Sequence, residues 1–153
     1  MMPMTSSPSK PSVERCSDLS ELAVHVYLED TDATGVVYHA NYLKYFERGR
    51  THYMSQLGLP LSPFFEQGLN FVAAKLTINY KLPARFDQTL CVKTEMDSLS
   101  KVALVFRQEL WRDEQLICSA SVTIACIRAD SGKPCAWPSE IINAITPHLA
   151  DRK

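Results

Sequence analysis

Asp32 and His39 are the residues of this 153-residue chain whose types and spacing could do chemistry together. They stand seven apart in E-D-T-D-A-T-G-V-V-Y-H, an acidic turn that passes Gly35 and runs into a segment of helical period. A carboxylate just ahead of a helix start can attack an activated carbonyl, or deprotonate a water that does. The carbonyl oxygen then becomes negative and needs donors, which the free N–H groups of a helix start supply. Gly35 lets backbone come close to a substrate, so Gly35, Val36, Val37 and Tyr38 form the candidate binding stretch between the two. These parts suit hydrolysis of a reactive ester or thioester. An amide would want a general acid beside its leaving group, and none is evident. The same residues also have a structural reading, with Asp32 as a turn or helix-capping aspartate and His39 as a histidine satisfied within the fold. Spacing alone leaves both readings open.

Several other chemistries are excluded by what the chain lacks. Its glycines, at 35, 49, 58, 68 and 132, make neither G-x-G-x-x-G nor a phosphate-cradling loop. There is no G-x-S-x-G elbow. His25, His39, His52 and His148 lack the spacing of H-E-x-x-H, and no Cys/His cluster points to zinc, so neither metal nor other cofactor is expected. Sixteen Lys and Arg against seventeen Asp and Glu give a net charge of −1, which argues against nucleic acid as a partner. The five cysteines show no C-x-x-C spacing and read as buried free thiols of a reducing compartment. No run reaches the roughly 18 apolar residues of a membrane span, and the first twenty residues carry no apolar signal region. A cytoplasmic location is expected.

The elements that must position the pair follow from period. Residues 1–20, rich in Ser and Pro, read as a disordered tail. Residues 22–28 suit a first strand. Tyr42, Tyr45, Phe46, Gly49 and Tyr53 fall on one helical stripe. Glu47, Arg48 and Arg50 fall outside it, on a solvated or interface face. A turn of helix is expected at 62–67. The period then changes to two, giving strands at 71–82, 87–97, 102–111 and 116–128. The short links among the last three make 87–128 a meander. Ser139 is a plausible N-cap for a short final helix through Ile145. One strand, one long helix and four strands form an α+β layout, a curved antiparallel sheet wrapped around one long central helix, with a single domain over 21–148.

YLEDTDATGVVYHANYLKYFERGR, with NYKLPARFDQTL after it, resembles the hotdog-fold acyl-CoA thioesterases. The likeness is to the branch holding 4-hydroxybenzoyl-CoA thioesterase and the Tol–Pal-associated YbgC-type enzymes, and it covers residues 24–128. It implies a hotdog fold and hydrolysis of acyl-CoA, with acyl carrier protein as the other candidate carrier. It implies Asp32 as the catalytic carboxylate, either nucleophile or general base. It further implies that the His39 backbone N–H polarises the thioester carbonyl and that the His39 imidazole has a part in catalysis. Helix-start amides around Tyr38 and His39 would form the oxyanion site. The resemblance also implies a homodimer or homotetramer with sites between subunits, and Lys101 is a candidate contact for the nucleotide phosphates. Two positions depart from the pattern, bearing on substrate range. Leu28 stands where related chains carry a second tyrosine, and Thr34 stands where many carry glycine. Two other readings remain beside this one: a non-catalytic acyl-binding or scaffold protein of an envelope or lipid-synthesis assembly, and a hotdog dehydratase.

Overall fold

The structure is a computed structural model that describes residues 20–149. The expected tail, 1–20, lies outside the described residues apart from Ser20. Alternating segments form β1 (Glu21–His25), β2 (Leu69–Tyr80), β3 (Thr89–Leu99), β4 (Ala103–Arg112) and β5 (Gln115–Arg128). These make one antiparallel sheet in the order β1-β3-β4-β5-β2. The expected meander is therefore β3-β4-β5, with β1 and β2 added at its two edges. Register shifts between Ala73 and Lys75 in β2 and between Met96 and Ser98 in β3 bend those strands and curve the sheet.

The concave face holds α1 (Tyr42–Gln56), whose buried residues are Tyr42, Tyr45, Phe46, Gly49, Tyr53 and Met54. The helix is fixed at its C-terminal end by Gly58 at φ +80. Leu59 N–H returns to the Met54 carbonyl and Gly58 N–H to that of Ser55, a paired cap that only a left-handed residue completes. Gly49 marks the closest approach to the sheet. A Cβ there would lie 2.5 Å from Val92 Cγ1, 3.0 Å from Thr94 Oγ1 and 3.1 Å from Gln108 Nε2. A polar seam crosses the same contact. The buried Gln108 donates to the Phe46 carbonyl at 2.8 Å and to Thr94 Oγ1 at 3.0 Å, and it accepts from Arg50 Nη1 at 3.0 Å. Arg50 thus turns inward instead of joining a solvated face, because its guanidinium satisfies the third polar position of a buried amide.

Two short helices close the ends of the sheet, α2 (Ser62–Glu66) and α3 (Ser139–Ile145). Ser139 is the first helical residue of α3 and Pro138 occupies the cap position, one place from the expected cap. The cap fails there because the Pro138 carbonyl, not a Ser139 hydroxyl, accepts at this helix start, from Ile141 and Ile142. Cys118, Cys126 and Cys135 are free thiols. Cys16 lies outside the described residues.

Two effects compete at Gly49. Alanine would gain about 1 kcal/mol in helix propensity, but its methyl would press on the stiff, buried Val92, and overpacking of this kind costs about 1–3 kcal/mol. Gly49→Ala is expected to lower the unfolding free energy by up to about 2 kcal/mol in a urea titration. Adding Val92→Ala should recover part of the loss that Gly49→Ala causes.

Candidate active site

The strand-to-helix connection is a tight loop built from its own polar groups. Asp32 N–H donates to the Val36 carbonyl at 2.9 Å and Gly35 N–H to the Asp32 carbonyl at 3.0 Å. Gly35 closes this turn at φ +85, where a side chain would be strained. Asp32 Oδ1 accepts both the Thr34 N–H at 2.8 Å and the Thr34 hydroxyl at 2.6 Å. Among the described residues Oδ2 accepts no hydrogen bond, and the carboxylate is exposed. The Thr34 hydroxyl, then its N–H, hold the Asp32 carboxyl below its ordinary value of 3.8. One oxygen therefore performs the turn role and the other is free for chemistry. Thr34, the departure from glycine, is what holds the loop on this side.

The helix start supplies donors, but not the ones expected throughout. Val37 N–H is committed to the Ala84 carbonyl at 2.8 Å and Tyr38 N–H to the Asp30 carbonyl at 2.9 Å. Among the described residues, the N–H groups of His39 and Ala40 have no acceptor in the chain, and they open the short 3-10 turn His39–Asn41 that leads into α1. The uncommitted amides therefore sit one residue later than a pair at Tyr38 and His39. Tyr38 joins the site as an exposed ring, its centroid 4.4 Å from that of His39. The His39 ring makes no hydrogen bond to Asp32, so their side chains form no dyad. Tyr80, at the end of β2, donates its hydroxyl to the His39 carbonyl at 2.7 Å and so holds the helix start from the sheet.

Three supporting residues gave no signal in the sequence. Asp30 is 6% exposed, and its Oδ2 accepts Tyr27 N–H at 2.8 Å and the Tyr45 hydroxyl at 3.0 Å. Burial, then that carboxylate, push the Tyr45 phenol well above its usual range. Asn41 Nδ2 donates to the Asp30 carbonyl at 2.9 Å. Tyr80 is an ordinary alternating strand residue until the fold brings it to His39. Lys101 is not at this site within one chain. The Asp32 loop follows Val26, which pairs with Gln88 before β3 begins, while Lys101 lies beyond the other end of that 11-residue strand, roughly 35 Å along.

Two concavities lined by described residues lie away from the Asp32 loop. The larger of the two, about 780 Å³, lies along the sheet beside Lys93, Glu95 and Arg107, and no residue of the Asp32 loop lines it. A smaller one of about 150 Å³ lies between the second half of α1 and the sheet, walled by Phe71, Phe106 and Trp137 with Arg50 at its edge. Residues 26–145 match the family model of the thioesterase-like superfamily. The chain belongs to that superfamily. It has the hotdog fold and is a thioester hydrolase. It is 42% identical over 119 residues to acyl-CoA thioesterase YbgC of Haemophilus influenzae, covering 77% of this chain and 88% of that one. It is 38% identical over 120 residues to acyl-CoA thioester hydrolase YbgC of Escherichia coli O6:H1, covering 78% and 90%. Among solved structures, the DHNA-CoA thioesterase from Staphylococcus aureus aligns at a TM-score of 0.80 with 27% identity, covering 83% of this chain and 88% of that one. No helix among the described residues is long and apolar enough to cross a membrane.

The sign of the Asp32 shift is testable. A lowered value keeps the carboxylate ionised as pH falls, so its titration lies below 3.8 in the parent. Thr34→Val removes the largest cause, and the Asp32 midpoint is expected to move upward toward the ordinary value. A carbon-detected NMR titration of the Asp32 carboxyl checks both position and direction.

Proposed function

We propose that the protein hydrolyses acyl-CoA thioesters, with Asp32 as the reacting carboxylate and the His39 N–H as the principal oxyanion donor. One observation carries the reading: an ionised carboxylate with one free oxygen stands beside a helix start with two uncommitted amides. The acyl carbonyl oxygen accepts from His39 N–H, supported by Ala40 N–H, and charge developing on it meets donors already in place. A carboxylate with a lowered pKa is a weak general base, but it is fully ionised for attack. That favours Asp32 Oδ2 bonding to the acyl carbon. The C–S bond breaks, the CoA thiolate departs, and water then hydrolyses the acyl–Asp32 anhydride to free acid.

The chemistry also needs a second copy of the chain. β2 is exposed along most of its 12 residues, with Val72, Leu76 and Tyr80 open to solvent beside Leu82 and Phe86. An open, apolar edge strand seeks a partner strand. Antiparallel pairing about a two-fold axis at the midpoint of β2 sets Tyr80 of one protomer opposite Leu69 of the other, two residues from Phe71. The Asp32 loop then faces the partner's 150 Å³ cavity, a volume large enough for a benzene-sized ring. A short or single-ring acyl tail fits there. Lys101, whose carbonyl accepts Trp137 N–H at 3.2 Å, lies at that same end and reaches the nucleotide phosphates from the partner's side. Acyl carrier protein is the alternative carrier, read by the same slot.

Thiol release from a panel of acyl-CoAs is the direct test, with short and aromatic acyl groups expected to turn over fastest. Asp32→Asn is expected to keep the fold and lose at least about a hundredfold in kcat. Equal rates in parent and variant exclude the mechanism. His39→Ala, which keeps the backbone donor, is expected to lower kcat modestly. If the imidazole also moves a proton, the variant should lose one limb of the parent's pH profile. Sedimentation at low micromolar concentration is expected to show a dimer or tetramer, and a fully active monomer contradicts the shared site.

A further inference from the structure

We propose that Asp30 is a positioning residue that sets the separation between the Asp32 carboxylate and the His39 amide, an inference that rests on the thioesterase reading above. Asp30 is buried beneath the loop and cannot touch substrate from there. Burying a carboxylate is costly unless its oxygens are satisfied, and among the described residues Asp30 forms no ion pair. Its Oδ2 instead gathers two donors from two different elements. Tyr27 N–H belongs to the start of the loop, and the Tyr45 hydroxyl belongs to the first turn of α1.

The main chain of the same residue completes the connection. The Asp30 carbonyl accepts Tyr38 N–H and Asn41 Nδ2, each at 2.9 Å. Tyr38 and Asn41 flank the two uncommitted amides, so Asp30 grips both sides of the oxyanion donors. By occupying Tyr38 N–H, it makes His39 the first amide free to bind a carbonyl. Asp32 follows two residues later, in a turn already fixed by Val36, Gly35 and Thr34. The reacting carboxylate and its oxyanion donor are thus held in relation to each other through one buried side chain and its carbonyl. Misplacement of either by about 1 Å is enough to lower turnover strongly without altering affinity for the distant parts of a substrate.

The test compares Asp30→Ala with Asp30→Asn in the full chain. Asparagine offers one carboxamide oxygen that takes both donors, so Asp30→Asn is expected to keep kcat within about threefold of the parent. Asp30→Ala takes neither and is expected to lower kcat at least about tenfold, with KM for the acyl-CoA changed less than about twofold. Ile145→Ala, a buried truncation on α3 remote from the loop, supplies a control of comparable melting temperature. Three results overturn the proposal: an equal kcat loss in that control, a loss in Asp30→Asn as deep as in Asp30→Ala, or an unaffected Asp30→Ala. Asp30→Ser, with a single shorter acceptor, replaces the alanine variant if that one does not fold. Hydrogen exchange at Tyr38 gives a readout that needs no substrate. Its protection is expected to match the parent in Asp30→Asn and to fall at least about tenfold in Asp30→Ala, and unchanged protection contradicts the positioning role. A parent protein that releases no thiol from any acyl-CoA counts against the thioesterase reading, whereas the exchange result stands on its own.

Discussion

A helix can lie only as close to a sheet as its largest inward residue allows, and at Gly49 that residue has no side chain. The close contact sets the depth of α1, and the rest of the site is arranged around that depth. It brings the Phe46 carbonyl to Gln108, which would otherwise be a costly buried amide. It brings Tyr45 to Asp30 and the helix start to the Tyr80 hydroxyl. A helix standing farther off would keep its apolar stripe covered and lose all three polar contacts. The site depends on packing distance before it depends on any catalytic residue.

The loop leaves room for a structural and a chemical role on one side chain. A turn aspartate and a reacting aspartate look like competing readings of the same residue. In the structure Oδ1 is spent on Thr34, and Oδ2 remains free. The hydrogen bonds that shape the turn also keep the group ionised, since they stabilise its charged form. Likewise the helix start both ends a loop and offers donors, because its first amides have no acceptor in the preceding chain.

Much of the fold was legible because it rests on period. The stripe from Tyr42 to Tyr53 and the alternation through β3, β4 and β5 are local patterns, and short links force neighbours to be antiparallel. Asp32 and His39 stand out in the sequence as a spacing, and only the resemblance to a family attaches a proposed chemistry to it. The rest depends on contacts between residues far apart in sequence. Arg50 meets Gln108 from 58 positions away, and Tyr80 meets His39 from 41. Which helix-start amide is free is decided by the Asp30 carbonyl, and no residue type signals that. Ser139 looked like a cap because serine often is one, but the chain enters α3 through Pro138.

The open edge of β2 explains why the site is shallow within one chain. Asp32, Tyr38 and His39 are exposed there, and the nearest enclosed apolar space lies at the far end of the same strand. Under the proposal above, edge pairing would bring that space to the loop from a second copy. The most direct measurement is a crystal structure of the protein with a non-hydrolysable acyl-CoA analogue that keeps the carbonyl and replaces the sulfur by a methylene. The account predicts the carbonyl oxygen about 3 Å from His39 N and the carbonyl carbon about 3–3.5 Å from Asp32 Oδ2. A carbonyl bound away from His39, with Asp32 Oδ2 facing solvent, would contradict it.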